Sequence, residues 1–72
     1  MGDKIKSIAE RILELGQFIN TPRTAQEIRK EIKDKSGNSF TLQDIRVNLL
    51  YLLRREKIKR EKEGTSLYKY HI

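Results

Sequence analysis

Apolar positions in the first part of the chain recur at helical steps. Ile5, Ile8, Ala9, Ile12 and Leu13 lie three and four residues apart and form one stripe, which predicts a helix over about residues 4–15. Asp3 is its expected N-cap, and Gly16 its expected left-handed closing residue. Phe18 and Ile19 follow in a stretch expected to be extended, and Pro22 bars any helical continuation. A second helix is predicted over about residues 25–35. Thr24-Ala25-Gln26-Glu27 has the spacing of a capping box, in which the hydroxyl accepts the N3 amide and the N3 carboxylate reaches back. Ala25, Ile28 and Ile32 give this helix a narrow apolar face, while Arg29, Lys30 and Lys33 point elsewhere.

Ser36-Gly37-Asn38-Ser39 reads as a turn. After it comes the strongest start signal in the chain. Thr41 is an N-cap with Asp44 at N3, and Phe40 and Ile45 occupy the two positions of a hydrophobic staple. Leu42, Ile45, Leu49, Leu52 and Leu53 share one face of the predicted helix, about 42–57. The opposite face shows Gln43, Val47, Leu50, Tyr51 and Arg54, flanked by Asp44, Arg46, Asn48 and Arg55. The period then changes from helical to alternating. Residues 58–62 and 66–72 read as two short strands around a turn at Glu63-Gly64-Thr65. Tyr68, Tyr70 and Ile72 fall on one side of the second strand, with Lys69 and His71 on the other. The tyrosines are expected in the core, with the Tyr70/Ile72 side of the hairpin packed on the helices.

Seventy-two residues support one domain, since a chain of this size buries only about 60% of its unfolded surface. No cysteine is present, which removes disulfides and thiolate metal sites. The longest apolar run, Leu49 to Leu53, is far short of a membrane span, and the start of the chain has no leader-like apolar segment. A cytoplasmic protein with no membrane partner is the expectation.

Candidate chemistry is sparse. The glycines are isolated, so no phosphate-cradling loop is present. His71 lacks an evident second group to hold it as a base and reads as a surface residue. Lys30–Asp34 and Glu31–Lys35 are solvated i,i+4 pairs. A non-enzyme without cofactor or metal is therefore expected.

Charge carries more information. The net charge is +6, yet residues 3–16 hold three basic and three acidic side chains. All of the excess follows Gly16, with its densest run from Arg54 to Lys62. Such one-sidedness is the footprint of a nucleic-acid binder, although a Lys/Glu-rich surface kept for solubility gives a similar count.

Taken in order, these segments resemble the winged helix-turn-helix domains of small archaeal and bacterial transcription regulators. Thr24-Ala25-Gln26-Glu27-Ile28 is similar to the T-A-x-E-I opening of that family's second helix. Ile45, Leu49, Leu52 and Ile58 match its spacing through the third helix into the wing, where Arg60 follows. Tyr70-His71-Ile72 resembles its closing Y-x-L/I. The resemblance covers about residues 4–72. It departs at Lys57, where the family usually has a glycine, so that turn is expected to differ.

The resemblance implies an α+β fold: a three-helix helix-turn-helix core with a C-terminal two-stranded β-hairpin wing. It also implies double-stranded DNA as partner, with the third helix in the major groove. Gln43, Asp44, Arg46 and Val47 would then face bases, followed by Asn48 and Tyr51, with Arg54 on the same exposed face. Arg46 suits guanine, Gln43 adenine and Val47 a thymine methyl. Lys59, Arg60 and Lys62 in the wing would meet phosphate or the minor groove, and Arg23 and Thr24 would anchor backbone. Arg46 could instead pair with a carboxylate of a neighbouring helix, and for Asp44 the capping role is favoured. A homodimer is one expectation for so small a reader. The apolar Val47, Leu50 and Tyr51 leave a second class open: a protein–protein module using that surface. Structured RNA is a third, which no aromatic platform favours.

Overall fold

The computed structural model describes residues 7–64 and 67–72. It contains three helices, α1 (Ile8–Leu13), α2 (Ala25–Ser36) and α3 (Leu42–Arg54), followed by strands β1 (Lys59–Glu63) and β2 (Leu67–His71). The strands form an antiparallel hairpin in which Lys59 faces His71, Arg60 faces Tyr70 and Lys62 faces Tyr68. The fold is α+β: three helices in a helix-turn-helix core with a C-terminal hairpin in the position of a wing, a winged-helix arrangement.

Each helix starts at a reciprocal cap. Thr24 and Glu27 close the box at α2, and Thr41 and Asp44 close it at α3. At α1 the same box is made by Ser7 and Glu10, with Ser7 in extended backbone as N-cap. The expected cap Asp3 and the stripe residue Ile5 lie outside the described residues. Gly37 closes α2 in the left-handed conformation, at φ 75°.

Three local expectations are corrected. Gly16 is not left-handed. Past Leu13 the chain continues through right-handed turns into a 3-10 turn at Phe18–Asn20, where an extended segment was expected. Hydrogen bonds from Leu15 to Ile12 and from Ile19 to Leu15 hold that path. It buries Leu15 and Ile19 and leaves Leu13 at 38% exposure, so Leu15 takes the core place expected of Leu13. The second correction concerns α3, which ends at Arg54, three residues before the expected Lys57. The Glu56 N–H bonds the Leu53 carbonyl and the Lys57 N–H bonds the Leu52 carbonyl, the two bonds of a Schellman motif. Its left-handed residue is Glu56, at φ 58°. The turn that the missing glycine put in question is thus built one residue before Lys57. Third, Ile72 stays exposed, although its N–H donates to the Ile19 carbonyl, and only Tyr70 of the expected pair enters the core.

The core joins the three helices, the 3-10 turn and β2, with Ile58 entering it just before β1. Ile12 of α1, Ile28 and Ile32 of α2, and Ile45, Leu49 and Leu52 of α3 meet Ile19, Ile58 and Tyr70. Leu42 and Leu53 pack at its edge. The hairpin is fastened to the helices by backbone as well as by Tyr70. Arg23 and Tyr70 exchange N–H···O bonds of 3.0 and 2.7 Å, an isolated antiparallel bridge between the α1–α2 connector and β2. On the other side, the Arg29 Nε donates to the Phe40 carbonyl, fixing α2 against the approach to α3.

Candidate nucleic-acid interface

The cap at Thr41 fixes the start of α3, and burial of Ile45, Leu49 and Leu52 fixes its rotation. The opposite face is thereby presented outward: Gln43, Arg46, Val47, Tyr51 and Arg54 are all exposed. Asp44 is held by the cap, accepting from the Thr41 N–H while its own N–H donates to the Thr41 hydroxyl. Asn48 is half-buried, and its Nδ2 donates to the Asp44 carbonyl at 2.8 Å, which leaves its Oδ1 for an outside donor.

The hairpin supplies the second set of cations. Lys59, Arg60 and Lys62 are exposed on β1. Arg60 and Tyr68 are diagonal neighbours across the hairpin, and the guanidinium lies 4.2 Å from the ring centroid. Tyr68, expected in the core, is instead exposed and carries this arginine on its ring, because Tyr70 is the one residue of β2 that reaches the core. His71 packs at the hairpin surface, with Nε2 3.5 Å from the Glu61 carboxylate.

The third set lies where α2 begins. Thr24 is committed as N-cap. Arg23 donates from Nε to the Phe18 carbonyl at 3.0 Å and stacks on the Phe18 ring at 4.2 Å. The Thr24 backbone N–H donated to its carboxylate is the main cause that holds Glu27 below its ordinary value of 4.5. Slight burial opposes this, while the Thr24 side chain, Arg23 and Lys69 add to it.

These parts converge on an open groove of about 480 Å³. Arg46 and Leu50 of α3 line one side and Arg60, Leu67 and Tyr68 of the hairpin another, and Thr24, Ala25 and Gln26 at the start of α2 complete the lining. Of the residues expected to contact DNA, Thr24, Arg46 and Arg60 are brought together here. Gln43, Val47, Asn48, Tyr51 and Arg54 remain on α3, and Lys59 and Lys62 on β1, outside the groove lining. Leu42, Leu67 and Tyr68 join the groove with no motif in the sequence to mark them as part of a site. The diagonal of Tyr68 with Arg60 becomes legible once the hairpin turn is fixed, but the groove depends on how three elements pack.

Val47, Leu50 and Tyr51 are 52%, 43% and 48% exposed, an apolar strip beside the cations. Among the described residues no cluster of His, Asp or Glu is placed to hold a metal ion, and no helix is long and apolar enough to cross a membrane.

Fold and surface together give an α+β, winged-helix arrangement with cations on the exposed face of α3 and on the hairpin. No protein-family model matches the chain, and comparison with curated proteins finds no significant match.

Proposed function

We propose that this protein binds double-stranded DNA and acts as a small, cytoplasmic, non-enzymatic transcriptional regulator. Helix α3 enters the major groove and the hairpin lies on the backbone or in the minor groove. The observation that carries this reading is the shared groove of Arg46 and Arg60, which sets a helix cation and a wing cation on one side beside the exposed face of α3. In this reading Gln43, Arg46 and Val47 meet base edges, with Asn48 and Tyr51 behind them. Lys59, Arg60, Lys62 and Arg54 neutralise phosphate, and Arg23 and Thr24 anchor the backbone. One domain covers part of an operator, so two copies on adjacent half-sites fit the reading.

Anisotropy titration of duplex DNA at increasing salt tests it. The expected result is micromolar or tighter binding at low salt, with log K falling by roughly 0.9 per phosphate contact for each unit of log salt. Arg60→Ala lowers that slope by about one such contact, whereas Arg46→Ala narrows the difference between sequences. Absence of binding at low salt ends the proposal. The exposed Val47, Leu50 and Tyr51 support a second reading, a protein–protein module. Under it Tyr51→Glu changes the assembly state in light scattering and leaves DNA binding absent throughout.

A further inference from the structure

The groove between α3 and the hairpin has a composition that DNA leaves unexplained. Leu42 and Leu50 line its helix side, and Leu67 and Tyr68 its hairpin side. Leu50 and Leu67 are 43% and 48% exposed, so this apolar surface is open to an incoming group. In the proposed docking the base edges meet Gln43, Arg46 and Val47, none of the groove's leucines. The part of a duplex left for the hairpin side is phosphate and sugar. Covering leucines with phosphate would cost desolvation of the anion and return no apolar burial. Yet the rim is cationic on both walls, with Arg46 facing the groove from α3 and Arg60 from β1. A second copy paired groove to groove is an equally poor occupant, because a two-fold contact there brings the same arginines against each other, and any other face of the chain belongs to a protein of net charge +6.

An apolar floor between two guanidinium groups complements apolar side chains flanked by carboxylates. At about 480 Å³ the space falls within the ~300–1,000 Å³ range of ligand-binding clefts, enough for a few large side chains. Its open mouth, lined by α3 on one side and the hairpin on the other, suits an amphipathic helix as in helix-in-groove recognition. Tyr68 already holds the Arg60 guanidinium over its ring, which orders one of the two carboxylate partners in advance.

We propose that this groove is a docking site for an acidic amphipathic helix of a protein partner, whose apolar residues pack on Leu42, Leu50 and Leu67. Its carboxylates pair with Arg46 and Arg60. Because both arginines also serve the DNA reading, the partner and DNA are mutually exclusive. The competition rests on that reading; the docking does not.

The test uses the full chain and a fluorescein-labelled synthetic helix carrying Leu and Phe on one face and Glu on the others. The controls are a scrambled peptide of the same composition and polyglutamate. Anisotropy is expected to give binding at least tenfold tighter for the amphipathic peptide than for either control. Leu50→Asp and Leu67→Asp each weaken it tenfold or more, and Arg60→Glu does the same. Both leucines are exposed, so circular dichroism of these variants is expected to match the parent chain. As a second measurement, amide shifts in a 15N-labelled sample concentrate at the α3 and hairpin walls of the groove. Equal binding of the scrambled peptide or polyglutamate reduces the site to bulk charge and overturns the proposal. So do unchanged affinities in the leucine variants, or shifts confined to α1. A parallel titration of duplex DNA without peptide separates the two readings. DNA binding without peptide binding removes the docking site alone, and peptide binding without DNA binding removes the competition alone.

Discussion

Glu56 occupies the left-handed position of the turn that joins α3 to the hairpin, at φ 58°. For a residue with a Cβ, this conformation costs about 1–2 kcal/mol, because the Cβ approaches the following carbonyl. Glycine removes that cost, but it gives back roughly 0.5–1 kcal/mol through the greater freedom of the unfolded chain. Glu56→Gly is therefore expected to stabilise the protein by about 0.5–1 kcal/mol, which for a domain of this size is roughly 2–8 °C in Tm. The side chain is exposed, so little packing is lost. Thermal melts followed at 222 nm, with urea titrations at 25 °C, measure the change. Glu56→Ala is the control: it removes the same charge from a basic protein while keeping the Cβ, and is expected to leave Tm nearly unchanged. A gain in the alanine variant equal to that of glycine would assign the effect to charge and refute the backbone argument. A loss in the glycine variant would show that the turn is not held in the left-handed region at all.

Gly16 offers the converse case, since its backbone is not left-handed and an added Cβ would meet only the Leu13 carbonyl oxygen, at 3.9 Å. Gly16→Ala is accordingly expected to stabilise by about 0.4–1 kcal/mol in urea titration, and a destabilisation would restore the left-handed reading. Glu27 titrates below its ordinary 4.5 in the folded chain because the Thr24 N–H bonds its carboxylate. Its charge thus contributes stability that is fully present above that ordinary value and lost as pH falls through the lowered folded value. Gln keeps the cap's hydrogen bonding, so the urea midpoint of the parent chain should exceed that of Glu27→Gln at neutral pH and converge on it in acid below about 4.5. A difference that stays constant down to pH 3 would contradict this.

What was legible in the sequence is what short-range chemistry decides. Thr24 with Glu27 and Thr41 with Asp44 announce α2 and α3, because both partners of each cap lie within one turn. Ser7 and Glu10 carry the same spacing, but the apolar stripe starts earlier, at Ile5, and pattern alone places the cap at Asp3. The exposed face of α3 was readable from helical period, and Tyr70 from alternation in the strand. Gly16 misled because glycine permits the left-handed conformation without requiring it. Glu56 was missed for the mirror reason, since nothing in a glutamate signals that conformation. The bond from Arg29 to the Phe40 carbonyl, the Arg23–Tyr70 bridge and the groove itself join residues far apart in the chain. Only tertiary packing brings them together.

The two stacked arginines have a consequence in entropy. A free arginine side chain carries about 2 kcal/mol of rotameric freedom, part of which is lost whenever an anion fixes it. Arg23 on Phe18 and Arg60 on Tyr68, each 4.2 Å from its ring, have surrendered part of that freedom in folding. An anion that meets them finds donors already aimed, while one that meets Lys59 or Lys62 must order the side chain itself. The tyrosine beneath Arg60 thus makes the wing a stiffer cation than its lysines, and the difference would be read in how long an anion stays.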